Sequence, residues 1–132
     1  MSLASVLQTA HSGMTAATVS VDHVSHNLAN MRTNGFKASR PIFATQTPGT
    51  YGAGGSLVQI GTGVKVAGVA VDESQGSLVA DADGVTELSN TDVGEELVEL
   101  ILAEEQFLAN AIVFETADGL LDELIYLGRS RD

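Results

Sequence analysis

The sequence predicts a mainly α fold with a small β region, in which long N- and C-terminal helices pair as an antiparallel coiled coil and short irregular β strands lie between them. Three observations carry this. Apolar residues recur at alternating steps of four and three from Leu3 to Met31, the same spacing returns from Val93 to Ile125, and between Phe36 and Glu87 both stripes give way to glycine, proline and β-branched residues. A chain of 132 residues is expected to form one domain, with the N-terminal helix at 1–35, the middle at 36–87 and the C-terminal helix at 88–132.

The first stripe is Leu3, Leu7, Ala10, Met14, Ala17, Val21, Val24, Leu28 and Met31. Ser2 is a candidate N-cap, Gly13 is the one strong helix-weakener, and Asn34-Gly35 offers a left-handed stop. A single helix is therefore expected, roughly 43 Å long. No fold of this size needs so long a helix for its own core, so the stripe calls for a partner. Gly35 is expected at positive φ, turning the chain from helix to arm.

In the middle, Phe36 to Thr47 reads as an extended arm carrying Lys37 and Arg40, and Pro48, Gly49, Gly52, Gly54 and Gly55 as a flexible loop. Short strands are expected at 57–60, 64–71 and 77–79, with turns at Gly61-Thr62-Gly63, Asp72 to Gly76 and Asp81 to Gly84. So little sheet needs a covered face and should lean on a helix.

The second helix opens at Asp92, with Glu95 three residues on as in a capping box and Asn90 as the other candidate cap. Its stripe is Val93, Leu97, Leu100, Phe107, Ala111, Phe114, Leu121 and Ile125, flawed where Glu104 and Asp118 fall on it. A second apolar face adds Val98, Ile101, Leu102, Leu108, Ile112, Val113, Leu120, Leu124 and Leu127. Gly128 is expected to end the helix, with Arg129 and Arg131 beside the negative end of its dipole. A helix apolar on two faces is buried from two sides, so one face should pair with the first helix and the other mark an interface. The expectation is a subunit that assembles through its termini, as a homo-oligomer that forms as concentration rises.

Of the net charge of −11, residues 1–80 contribute +1 (three acids, four bases) and residues 81–132 contribute −12 (14 acids, two bases). Only six basic residues, scattered along the chain, argue against nucleic acid as a partner. The absence of cysteine removes disulfides, thiolate metal sites and cysteine nucleophiles. Polar residues Gln8, Thr9, His11 and Ser12 interrupt the first apolar segment, so neither a cleavable signal peptide nor a membrane span is expected.

No residue set commits to chemistry. Asp22, His23 and His26 lack a third metal ligand of fixed geometry. Asp81, Asp83 and Gly84 echo the start of a calcium loop without its later ligands, and Gly61 and Gly63 lack the third glycine and helix of a phosphate site. Glu104 and Asp118 stand about 21 Å apart along a helix, too far to act as an acid and base pair. No catalytic, cofactor or metal residues are assigned, and no cofactor is expected.

Three ordered blocks resemble the rod and hook group of bacterial flagellar axial proteins. At the front are Ser12-Gly13-Met14 with Ala16, then His26-Asn27, Ala29-Asn30, Thr33 and Gly35-Phe36-Lys37-Ala38. In the middle are Thr62-Gly63-Val64 with Val66, and Ser74-Gln75-Gly76-Ser77-Leu78. At the back are Leu88-Ser89-Asn90, Asp92-Val93, Glu96-Leu97, Phe107, Ala109-Asn110 and Thr116-Ala117-Asp118. The resemblance implies a structural, non-catalytic subunit of the basal-body rod, exported through the flagellar type III apparatus without a cleaved signal. It would polymerise helically with itself and other rod and hook proteins, in the periplasm, into a hollow drive shaft. It also implies that the terminal helices form the inner tube around the export channel, with the β region outside. Distal rod and hook proteins carry a large insert after the segment matching Gln75 to Leu78, whereas here only Val79 to Glu87 precedes the second helix; the length is that of a proximal rod protein. Two alternatives remain: a coiled-coil adaptor or export-associated protein, which would not need the Asn30 to Lys37 corner, and a small hydrolase using His23 or His26, for which nothing beyond residue type argues.

Overall fold

The computed structural model describes residues 2–47, 49–53, 56–82 and 84–129. Helix α1 (Leu3–Ala29) is followed by strands β1 (Ser39–Thr45), β2 (Gly49–Ala53), β3 (Ser56–Ile60), β4 (Val64–Val71), β5 (Leu78–Asp81) and β6 (Gly84–Glu87), and then by α2 (Val93–Arg129). The two helices pack against each other, and β1 and β4 lie against α1. The mainly α architecture and the paired terminal helices are thus as the sequence predicts.

Helix α1 begins where expected, the Ser2 hydroxyl accepting from the Ser5 N–H at 3.2 Å. It ends earlier. Asn30 closes it at Ala29, its side chain donating to the His26 carbonyl, and residues 30–35 form turns. Met31 therefore lies beyond the helix, 41% exposed, and is not a seam residue. Gly35 does take the left-handed region, at φ 69°, and its N–H donates to the Glu87 carbonyl. At the other end Asp92 caps α2, its carboxylate accepting from the Gly94 and Glu95 N–H groups, and Gly128 sits inside the last turn rather than after it.

The arm and the glycine-rich loop are not separate pieces. Strand β1 pairs antiparallel with β4, with a register shift between Ile42 and Phe43, and β2 pairs antiparallel with β3. The two ladders are joined by Gln46, whose N–H donates to the Gly63 carbonyl and whose side chain donates to that of Val64. The chain so runs out along one long ribbon and back, where a flexible loop is predicted. Pro48, Gly54, Gly55, Asp83 and Arg131 lie outside the described residues. A separate hairpin joins β5 to β6.

The helix seam also differs by one column. On α1 the buried residues are Ala10, Gly13, Ala16, Ala17, Val24 and Asn27; on α2 they are Glu96, Ala103 and Ala117. Leu3, Leu7, Met14, Val21 and Leu28 are half-buried, as are Leu100, Ala111, Phe114 and Leu121. Val93, Leu97, Ile101, Phe107, Leu108 and Ile125, predicted as seam or interface positions, are exposed in the monomer. Glu96, Ala103, Asn110 and Ala117 follow one another at heptad intervals, and this column replaces Leu97, Glu104, Ala111 and Asp118. Glu104 and Asp118 are consequently surface residues and not flaws in the seam.

Small residues allow the close approach. A Cβ on Gly13 would run into the Asn110 side chain, and fourteen residues further along α1 the Asn27 amide donates to Glu96, fourteen residues back along α2, at 3.0 Å. Two contacts at equal spacing on both helices fix a single antiparallel register. Replacing Gly13 by leucine is expected to cost about 1–3 kcal/mol through overpacking, with part of the loss recovered in the double variant Gly13→Leu/Asn110→Ala. Denaturant unfolding of the four chains of this cycle measures the coupling.

Candidate assembly joint at the helix corner

Asn27 is the centre of the corner where α1, the arm and α2 meet, and it is fully buried. Its carbonyl oxygen accepts from the Ser39 N–H at 3.0 Å, and its amide donates to the Ser39 carbonyl at 2.9 Å and to the Glu96 carboxylate. One side chain thereby satisfies both backbone groups of the first residue of β1 and ties that strand to two helices. Buried polar groups remain only when partnered, and among the described residues no buried side-chain nitrogen or oxygen lacks a partner.

A second asparagine serves the far side. The Asn90 carbonyl oxygen accepts from the Ala38 N–H at 2.7 Å, and its amide donates to the Asp72 carbonyl at 2.8 Å and the Ser74 carbonyl at 3.2 Å. The Asp72 N–H donates in turn to the Ala38 carbonyl. Lys37 reaches across the same junction, its ammonium within 2.6 Å of both the Ser74 carbonyl and Glu87 Oε1, and the Gly76 N–H donates to that same oxygen. Gly76 is buried, and a Cβ there would collide with the Leu88 carbonyl. Near the other end of the seam, the Ser12 hydroxyl accepts from the Val64 N–H at 3.1 Å, and Gly63, at φ 101°, leaves it the room.

The electrostatics follow from these partners. The Lys37 ammonium and the Gly76 N–H hold the Glu87 carboxyl below its ordinary range, and bonds from Ser74 do the same for Asp72. Burial pushes Glu96 the other way, up, against the Asn27 bond and the Arg40 charge that favour its ionised form. Arg40 lies 2.8 Å from Glu95 and 4.0 Å from Glu99. Arg40, Glu96, Glu99, His23, Asn27 and Ser39 surround a cavity of about 270 Å³ lined also by Ser20, Val24, Pro41 and Phe43.

The resemblance residues fall almost wholly on this wiring. Ser12, Gly13, Asn27, Asn30, Gly35, Lys37, Asn90 and Asn110 each close a turn, a strand or a helix contact described above, and the Thr33 hydroxyl bonds to Asn30. Phe36 meets His26 edge to face with centroids 5.5 Å apart. Met14 is half-buried, while Ala29 and Asp118 are exposed. His23 bonds to the Ser39 hydroxyl at 3.1 Å. Glu96 and the cavity beside it are the features that sequence reasoning missed as a site. The heptad interval from Glu96 through Ala103 and Asn110 to Ala117 is the signal that could have found them.

Asn90→Ala strips acceptor or donor from three backbone groups and is expected to destabilise the fold by roughly 1–3 kcal/mol in denaturant unfolding. Glu96→Gln keeps the acceptor for Asn27 and removes a buried charge. Because burial raises the folded-state pKa of Glu96, the ionised wild type is penalised above that pKa; the variant is expected to be the more stable by about 1 kcal/mol at pH 7. The gap should close as pH falls through the folded and then the unfolded pKa of the carboxyl. Melting curves of both chains across that range check the sign.

Two family descriptions match the chain. "Flagella basal body rod protein" covers residues 7–37 and "Flagellar basal body rod FlgEFG protein C-terminal" covers residues 82–127, together more than half of the sequence. The chain is 29% identical to the flagellar basal-body rod protein FlgC of Borreliella burgdorferi, over 91% of its own length and 93% of the relative's. It is 28% identical to FlgC of Bacillus subtilis, over 93% and 96% of the two lengths. A flagellar basal-body rod protein FlgG of Buchnera aphidicola is 34% identical over 52% of this chain and 30% of that protein. Both ends of the corner and nearly the full length of the FlgC relatives thus agree, and the chain belongs to the flagellar basal-body rod protein family.

Proposed function

We infer that this protein is a structural subunit of the bacterial flagellar basal-body rod that joins neighbouring rod and hook subunits through the outward face of α2. The observation that carries this is the apolar surface of α2 turned away from α1, where Ile101 and Leu102 are 58% and Ile112 63% exposed. A monomer gains nothing from keeping such a face in water, whereas an assembly that covers it gains about 25 cal/mol per Å² buried. The rigid corner supports the same role, because a subunit that transmits torque must hold its β region at a fixed attitude to its helices. An adaptor needs only the amphipathic helices.

The near-complete coverage of two FlgC relatives and the short stretch between β4 and α2 favour a proximal position in the rod. The terminal helices would form the inner tube around the export channel, with the ribbon and the β5–β6 hairpin outside. Export through the flagellar type III apparatus without a cleaved signal, and a periplasmic place for the finished rod, belong to the same proposal. None of the described helices is long and apolar enough to cross a membrane. No catalytic step is assigned to the chain.

Complementation of a strain lacking the protein tests this. Leu28→Asp places a charge at a half-buried position of the helix contact, a cost of several kcal/mol against a total stability of roughly 5–15, so swimming should be lost with the fold, whereas Phe107→Asp, at a position exposed in the monomer, should abolish swimming through assembly. Ile112→Asp adds a charge to an already exposed site, for which a change within about 0.5 kcal/mol is expected, and should abolish swimming while the purified chain stays folded. His23→Ala should swim. A motile Ile112→Asp strain would remove the assembly role of the outward face.

A further inference from the structure

The outward face of α2 carries charge as well as apolar area. Glu104, Glu105, Glu115, Asp118, Asp122 and Glu123 all stand exposed on the helix beside its apolar residues. The ion pairs among the described residues are three, Lys37 with Glu87 and Arg40 with Glu95 and Glu99, and all belong to the corner. Among the described residues, no carboxylate on α2 from residue 104 to 123 has a cationic partner. A second copy offers few: beyond the two cations already paired, the described residues hold Arg32 in the turn after α1, Lys65 on β4 and Arg129 at the end of α2, and the sequence adds Arg131 two positions on. Set at three separate places in the chain, these four do not line one stripe.

We propose that this face docks a helix of a different protein, one whose apolar stripe is flanked by lysine and arginine, and that it opposes a second copy of this chain until the charge is screened. The proposal rests on the outward face being an assembly face, as argued above, and adds which neighbour it takes. Flanking charges set partner choice between helices in the way e and g positions do in coiled coils. Two acidic faces brought together place carboxylates well within the Debye length of about 8 Å at physiological ionic strength. The two kinds of contact therefore respond oppositely to salt. Docking of a basic partner weakens as salt rises, and self-association strengthens, whereas apolar area alone would treat both alike.

Two labelled helical peptides of about three heptads, with the same leucine stripe and either lysine or glutamate on its flanks, are the probes. Anisotropy with the full chain is expected to show the lysine peptide bound at about 20 mM NaCl, its Kd rising about tenfold or more by about 500 mM, and the glutamate peptide unbound at low salt. Sedimentation velocity should give a monomer at low salt and larger species at high salt. The variant Glu104→Gln/Glu105→Gln/Glu115→Gln/Glu123→Gln, all at exposed positions, should bind the lysine peptide about tenfold more weakly and self-associate at low salt; circular dichroism checks that it remains folded. Equal binding of the two peptides, binding of neither, or self-association strongest at low salt overturns the proposal. The motility of the Ile112→Asp strain is read separately, so the rod assignment can stand while the choice of neighbour fails.

Discussion

Everything in this fold depends on how close two helices come and in what register. The α1 to α2 contact is made by glycine, alanine, one valine and a pair of amides, not by the leucines that both sequences offer. Close approach leaves little room for error, and the steric fit of Gly13 to Asn110 with the hydrogen bond of Asn27 to Glu96 admits one alignment. A polar residue in a helix seam lowers stability and gains specificity of register in return. The corner exploits that register: Asn27 bonds at once to Ser39 of the arm and to Glu96 at the start of α2.

The choice of seam decides what remains outside. Because the small-residue column faces inward, the larger apolar side chains of α2 are turned outward, where a monomer leaves them exposed and an assembly can use them. The acids that look misplaced on a leucine seam, Glu104 and Asp118, are ordinary surface residues once the column is shifted by one. A single rotation of about 100° about the helix axis thus separates a flawed coiled coil from a subunit with an inner and an outer face.

The helices, the Asp92 cap and the left-handed Gly35 were legible in the sequence because each rests on local chemistry: heptad spacing, a capping carboxylate, a residue without Cβ. The Ala10, Ala17 and Val24 column was legible for the same reason. The α2 seam was not, since hydrophobicity alone prefers Leu97 to Glu96, and only the partner helix, through Asn27, makes the buried carboxylate acceptable. The ribbon was hidden by its glycines and prolines, which read as a loop until β1 meets β4 some twenty residues on. Nor did the sequence reveal that Asn27 and Asn90 grip the two sides of the arm, because the residues they bond lie in other elements. The family blocks pointed to those asparagines without saying what they do.

Among the described residues the β5–β6 hairpin packs on no other element, and its two ends are joined at the base, where the Leu88 N–H donates to the Ser77 carbonyl at 2.8 Å. Below that bond Gly76 and Glu87 are fastened to the corner. The closed base makes the hairpin an interchangeable cassette. Once two ends are held together, each doubling of the intervening length costs only about 0.6 kcal/mol in closure entropy. A whole domain could be spliced in above Ser77 and Leu88 while the bonded frame beneath keeps its geometry, so that one frame can serve subunits of very different outer diameter.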